Sequence, residues 1–272
     1  MVDIEILSIG NELLIGKTLN TNANWMAKRL TTLGLNVRRI ITVSDDVDEI
    51  STAVKEILKR EPDSLITTGG LGPTFDDKTL EGIAKALNAP VVLNEEAFQM
   101  VEAKYKTYAE ERGVEKIELT PARVKMAKLP KDAKPLPNSV GTAPGVIIKY
   151  GKTTIVSLPG VPPEMESIFE NSLEPMLKKL AGKATFFETS VGVSGIMESE
   201  LAPIIDQVMH DNPYVYIKSH PRGQERIPHL ELHMSTTAED SATAKSRVSR
   251  AIIQITETIQ AKGGKITRFK TK

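Results

Sequence analysis

The first seventy residues alternate between two hydrophobic periods, and that alternation limits the fold more than anything else in the chain. Ile4, Ile6 and Ile9 mark a short strand, after which Ala23, Met26, Ala27, Leu30 and Leu33 recur at helical spacing up to Gly34. Val37 to Val43 is strand-like, and Ile50, Val54, Ile57 and Leu58 stripe one helix face. Leu65-Ile66-Thr67-Thr68 then runs as a buried-type strand into Gly69-Gly70. This βαβαβ order predicts an α/β fold with a mostly parallel sheet covered on both faces. Sheets of that kind bind ligands beyond the C-terminal ends of their strands. The loops after Ile9, Val43 and Thr68 are therefore where a site is expected.

Helical segments follow at Thr79 to Leu87 and Glu95 to Arg112, and Val146 to Tyr150 with Thr153 to Ser157 form a hairpin across Gly151-Lys152. Half of the 16 prolines lie between Pro121 and Pro163, which predicts structured loops without a long helix. Pro162-Pro163 opens a helix through Met165, Ile168, Phe169 and Leu173. A second unit begins near Ala181-Gly182 with a strand (Phe186 to Val193), a helix (Met197, Leu201, Ile204, Ile205, Val208) and a strand (Tyr214 to Lys218). The alternation of Leu230, Leu232 and Met234 and a long helix with Val248, Ile252, Ile255 and Ile259 complete it. The reading is a large domain over residues 1–175 and a small α+β domain of βαββα order over residues 182–272, which suits a chain of 272 residues.

Charge narrows the function classes. Thirty-five Lys plus Arg balance 35 Asp plus Glu, so no overall field draws the molecule to nucleic acid or to an anionic membrane. With no cysteine, thiolate metal sites and thiol nucleophiles are excluded. The acidic start Met1-Val-Asp-Ile-Glu is unlike a signal peptide, and no apolar run approaches the ~20 residues of a membrane helix. A cytoplasmic protein is expected.

Several motifs mislead. Gly10-Asn-Glu-Leu-Leu-Ile-Gly16-Lys17-Thr18 has one residue too many between its glycines for a nucleoside triphosphatase loop. His229 and His233 in an alternating strand stand ~13 Å apart, too far to chelate one ion. Gly192-Val-Ser-Gly195 matches the loop of RNA-binding KH modules but follows a strand and lacks basic neighbours, so it reads as a turn. Lys262, Lys265, Arg268, Lys270 and Lys272 read as a solvated basic tail.

The run Gly69-Gly70-Leu71-Gly72-Pro73-Thr74-Phe75-Asp76-Asp77 is different. Its glycines let backbone amides approach a phosphate or pterin, Thr74 supplies a hydroxyl, and a helix N-terminus follows. Acids beside an anion cradle make sense when a divalent cation bridges them to the ligand. The alternative use of Asp76 or Asp77 is to cap the helix from Thr79, as Ser44-Asp45-Asp46 can cap the helix from Val47. Glu12 lies in the third rim loop, with Gly10 and Asn11 beside it, and Asn20 and Asn22 either cap the first helix or touch ligand. Asn138-Ser-Val-Gly141-Thr142-Ala-Pro-Gly145 and Leu158-Pro159-Gly160-Val-Pro-Pro-Glu164-Met165 are two more rigid loops that would close the crevice.

In that order, Gly10-Asn-Glu-Leu-Leu-Ile-Gly, Gly69-Gly-Leu-Gly-Pro-Thr-Phe-Asp-Asp, Gly141-Thr-Ala-Pro-Gly and Leu158-Pro-Gly-Val-Pro-Pro-Glu-Met resemble the CinA (competence/damage-inducible) family over essentially the whole chain. The resemblance implies a three-layer α/β/α molybdopterin-binding-like domain, then a small KH-type domain. Bacterial members continue into a nicotinamide mononucleotide deamidase domain, and this chain stops before it, so deamidase activity is expected to be absent. For the first domain the resemblance implies a metal-dependent ADP-ribose pyrophosphatase yielding AMP and ribose 5-phosphate. In the cofactor-biosynthesis relatives two aspartates serve pterin adenylylation, and they match Asp45 and Asp77 by motif position.

Glu12, Asp45 and Asp77 are accordingly assigned to catalysis and to a Mg²⁺, Mn²⁺ or Co²⁺ ion, any one of them holding the water instead. Gly10, Asn11, Gly69, Gly70, Leu71, Gly72, Pro73, Thr74, Asp76, Asn138, Gly141, Thr142, Pro159, Gly160 and Glu164 are assigned to substrate. Lys218, His220 and Arg222, ending a strand of the second domain, could reach phosphate. Molybdopterin binding or adenylyl transfer is the alternative, and a nucleotide sensor without turnover a third reading. The partner expected is a small-molecule nucleotide, with no nucleic acid and no membrane, in a homodimer.

Overall fold

The computed structural model describes residues 2–115, 117–222 and 229–268. The chain divides into one unit of Met1–Thr31 with Leu35–Ala181 and another of Thr32–Gly34 with Gly182–Lys272. Among the described residues no helix is long and apolar enough to cross a membrane.

The first unit is built around a six-stranded sheet. Its elements run β1 (Asp3–Ile9), α1 (Asn11–Leu14), α2 (Thr21–Thr32), β2 (Asn36–Val43), α3 (Val47–Leu58), β3 (Ser64–Thr68) and α4 (Thr79–Leu87), as the alternating periods predict. There follow β4 (Val91–Leu93), α5 (Glu95–Glu111), α6 (Pro121–Lys125), β5 (Lys128–Pro130), β6 (Lys134–Leu136), β7 (Gly145–Tyr150) and β8 (Thr153–Leu158). The last part is α7 (Pro162–Ile168), a π-helical turn (Phe169–Leu173) and α8 (Glu174–Ala181). The strand order is β2-β1-β3-β8-β7-β6. The first four are mutually parallel, and β7 and β6 run antiparallel to their neighbours. Every residue of β3 is buried, as befits a central strand sandwiched between helices. Leu7, Ile50, Val54, Ile57, Leu65 and Ile83 pack into one cluster. Each such side chain contributes about 1.5–3 kcal/mol.

The proline-rich stretch holds three short elements that its sequence reads as loop. Its strands are where proline can sit: Pro130 in the two-stranded β4-β5 sheet and Pro135 in edge strand β6. The hairpin is as expected, with Tyr150 opposite Thr153.

The second unit corrects the sequence reading. Its order is β9 (Thr185–Ser194), α9 (Glu198–Asp211), β10 (Tyr216–Arg222), β11 (His229–Ala238), α10 (Ser241–Ala261) and β12 (Lys265–Arg268). That is βαββαβ with an antiparallel strand order β10-β11-β9-β12, the split-βαβ arrangement, which adds one strand to the expected βαββα order. Gly192 lies inside β9 and Gly195 just after it, so the four-residue motif joins no pair of helices. The supposed basic tail contributes Lys265 to Arg268 as a strand paired with β9, while Lys270 and Lys272 lie outside the described residues. β10 starts two residues late because a turn, Val215 N–H to Asn212 C=O, occupies the predicted start. Lys218, His220 and Arg222 lie on one face of β10, opposite His233, Glu231 and His229, and Arg222 is the last residue of that strand, as expected.

Candidate functional site

Parallel registry brings three strand ends level. Ser8 of β1 pairs with Thr68 of β3, and Thr68 with Leu158 of β8, so Gly10, Gly69 and Pro159 leave the sheet side by side. The chain passes from β1 to β2 on one side and then crosses back to β3 on the other. The mouth between β1 and β3 is thus the switch point where open α/β sheets bind ligands. Gly69 N–H donates to Leu158 C=O at 3.0 Å, and its φ of +107° with a would-be Cβ only 2.2 Å from the Ile9 carbonyl oxygen shows why glycine stands there.

The glycine loop is braced from within. Asp77 Oδ2 accepts from Thr74 N–H at 2.8 Å and from Thr74 Oγ1 at 2.7 Å. The Thr74 hydroxyl also touches the Asp76 carboxylate, a contact that, as the largest cause, holds Asp76 below the usual carboxylate range. Lys125 Nζ donates to the Thr74 carbonyl at 2.6 Å. Neither aspartate caps α4, because Lys78 occupies that position. Thr79 ties the helix to the loop instead, Oγ1 to Gly69 C=O at 2.7 Å and N–H to Gly70 C=O at 3.2 Å. What the bracing leaves over is informative. Among the described residues the N–H groups of Gly70, Leu71 and Gly72 donate to no protein acceptor. A run of free amides is an anion-binding concavity.

The neighbouring acids divide their work. Asp46 caps α3, accepting from Asp48 N–H at 2.8 Å and Glu49 N–H at 3.2 Å, and the amides of Glu49 and Asp48 hold its carboxyl low. Asp45 Oδ2 instead accepts from Asn11 N–H at 2.7 Å, bridging the second rim loop to the first. The Glu12 carboxylate folds back over Gly10, where an added Cβ would stand 2.4 Å from Glu12 Oε1. The two asparagines left open by the sequence also separate. Asn20 caps α2 through Ala23 N–H at 3.1 Å, whereas buried Asn22 donates to Thr68 Oγ1 at 3.0 Å and Gly160 C=O at 2.8 Å.

Two recesses meet here. One, of about 290 Å³, is lined by Gly10, Glu12, Asp45, Gly69, Gly70, Asp76, Asp77 and Gly160, together with Leu13, Thr18, Leu19, Asn22 and Thr68. The other, of about 340 Å³, is lined by Gly70, Leu71, Gly72, Pro73, Asp77, Thr142, Pro159, Gly160 and Glu164, with Met126, Ala143 and Val161. They share Gly70, Asp77 and Gly160. Four carboxylates and no lysine or arginine face the first. Those acids do not converge, however: among the described residues no group of three histidines or acids could hold a metal ion. Of the expected ligand-contact residues, Asn11, Thr74, Asn138 and Gly141 line neither recess and serve the loops themselves. Asn138 is buried, its Oδ1 accepting from Val140 and Gly141 N–H and its Nδ2 donating to Ala143 C=O and Glu164 Oε2. Leu19, Met126 and Val161 were not assigned from sequence, where nothing separates a wall residue from an ordinary apolar one.

Comparison with known proteins places these features in a wider set. Residues 5–179 match the family described as "Probable molybdopterin binding domain". A protein of Pyrobaculum aerophilum is 48% identical over 260 residues, 95% of each chain. One of Sulfurisphaera tokodaii is 44% identical over 263 residues, 96% of this chain and 97% of that one. Among solved structures, the protein CinA of Thermoplasma acidophilum, described as having unknown function, is similar with a TM-score of 0.58 and 41% identity, over 64% of this chain and 98% of that one.

Proposed function

The chain belongs, through residues 5–179, to the family of the probable molybdopterin binding domain, and on that premise we propose that its double recess binds a phosphorylated pterin of the molybdopterin kind. The observation that carries the reading is the run of free N–H groups at Gly70, Leu71 and Gly72, set at the switch point of the sheet. The phosphate lies on those amides. Because Glu12, Asp45, Asp76 and Asp77 surround the same space, a bound phosphate needs a cation between itself and the acids. Asp45 and Asp77 are the residues that would hold a Mg²⁺, Mn²⁺ or Co²⁺ ion, and such an ion would supply the positive charge that lets a phosphate sit beside the acids.

The acidic lining favours a second reading, hydrolysis of a nucleotide diphosphate such as ADP-ribose. A water oxygen bonds to one phosphorus and gives up a proton to a nearby carboxylate and then to solvent, the bond from that phosphorus to the bridging oxygen breaks with its electron pair staying on that oxygen, and AMP and ribose 5-phosphate leave. The acids would hold a cation that would neutralise the non-bridging oxygens, and one of them would orient the water.

Protein purified from molybdopterin-producing cells decides between them. The first reading expects a fluorescent pterin released on denaturing the wild type and little from Asp77→Ala. The second expects AMP from ADP-ribose with divalent metal, lost in the same variant. A folded wild type that yields neither overturns both.

A further inference from the structure

Glu164 stands apart from the other acids of the site. It lies at the start of α7 and lines the recess whose remaining walls are largely Leu71, Pro73, Met126, Ala143, Pro159 and Val161. One of its oxygens is fixed: Oε2 accepts from Asn138 Nδ2 at 2.7 Å, and Asn138 is itself buried and fully engaged by Val140, Gly141 and Ala143. Gly141 leaves the carboxylate its space, since a Cβ there would stand 1.9 Å from Oε2 and 2.5 Å from Oε1. Among the described residues Oε1 has no hydrogen-bond partner. A carboxylate anchored by one oxygen and offering the other inside an apolar-walled recess recognises a donor, because a carboxylate only accepts and its pairing with N–H is charge-assisted.

We infer that Glu164 is the specificity residue for the ring end of the ligand, accepting the adjacent N–H donors of a 2-amino-4-oxo pyrimidine edge. The inference rests on the reading of the double recess as a ligand site and gives that ligand its direction. The phosphate lies on the amides of Gly70, Leu71 and Gly72, a run that begins where the recesses join, and the ring lies beyond it toward Glu164, between the apolar walls of the second recess. The same donor edge belongs to pterin and to guanine. Adenine, with one donor and one acceptor on the corresponding edge, pairs poorly with a carboxylate.

The test uses the full chain and three ring probes, pterin, lumazine and GMP, with Mg²⁺-pyrophosphate as a probe of the phosphate end. Lumazine differs from pterin in carrying an oxo group where pterin has the 2-amino group. Wild type is expected to prefer pterin to lumazine by roughly 10- to 100-fold, the range for a hydrogen bond to a charged group. Glu164→Gln is expected to lose most of that preference while keeping its melting temperature and its pyrophosphate affinity, since glutamine still accepts from Asn138. Tighter binding of pterin than of GMP identifies the ring as a pterin, and the reverse as guanine. Equal binding of pterin and lumazine, or a preference untouched in Glu164→Gln, overturns the role of Glu164. If pyrophosphate still binds and is lost in Asp77→Ala, the site survives that failure; if pyrophosphate does not bind either, the reading beneath it falls too.

Discussion

Alanine at Gly69 meets two separate penalties. The first is conformational: a φ of +107° lies in the region that L-residues avoid, and leaving the right-handed basins costs roughly 1–2 kcal/mol. The second is steric. The new Cβ would stand 2.2 Å from the Ile9 carbonyl oxygen, so the β1 and β3 ends must part by roughly 1 Å to restore contact distance, and overfilling a close-packed region costs about 1–3 kcal/mol. The sum, about 2–5 kcal/mol, is a large share of the roughly 5–15 kcal/mol that holds a domain folded. Gly151 supplies the control, for it has a φ of +55° and nothing within 4 Å of an added Cβ, so Gly151→Ala carries only the first penalty. Urea unfolding of the two variants side by side isolates the steric part, and ligand titration should show weaker binding in Gly69→Ala alone. A Gly69→Ala midpoint no lower than that of Gly151→Ala, with undiminished binding, would refute the claim that backbone contact fixes the mouth of the site.

Asp45 and Asp46 should separate cleanly: Asp46→Ala lowers the melting temperature and spares ligand binding, whereas Asp45→Ala does the reverse, as thermal scans with and without ligand will report. Glu5, buried inside β1, is pushed up by burial, but the hydrogen bonds and charge of Arg60, then those of Arg39, outweigh this and leave its carboxyl below the ordinary 4.5. A carboxylate depressed in the folded state lends stability that is complete above 4.5 and disappears as the pH falls through the folded value. Arg60→Ala should therefore cost about 3 kcal/mol at neutral pH, the low end for a buried pair broken from one side because Arg39 remains, and should flatten the acid limb of a stability-against-pH curve. An unchanged acid limb would show that the pair is not what makes the fold acid-sensitive.

The central sheet was legible because β1, β2 and β3 are long enough to show a period and are set off by helices with their own. Strands of three residues, β4, β5 and β6, cannot show one, and β12, four residues long at the edge of its sheet, is scarcely longer. The glycine loop announced itself through composition, but the division of labour between Asp45 and Asp46 did not. Both are aspartates at the end of β2, and only the path of the chain decides which one meets the helix amides. Thr74 adds a role that its sequence did not announce, since its hydroxyl and amide brace the loop against Asp77. Glu164 and Asn138, 26 residues apart, meet only because the intervening strands turn back on each other.

That return has a mechanical consequence. The segments carrying Asn138 and Glu164 are the two arms of a calliper whose pivot, Gly151-Lys152, lies at the far end of β7 and β8. Lengthening the pivot leaves the gap between the tips alone, so a peptide tag spliced there spares the jaws. Sliding one arm past the other by two residues shifts a jaw by about 7 Å, farther than any side chain can make good.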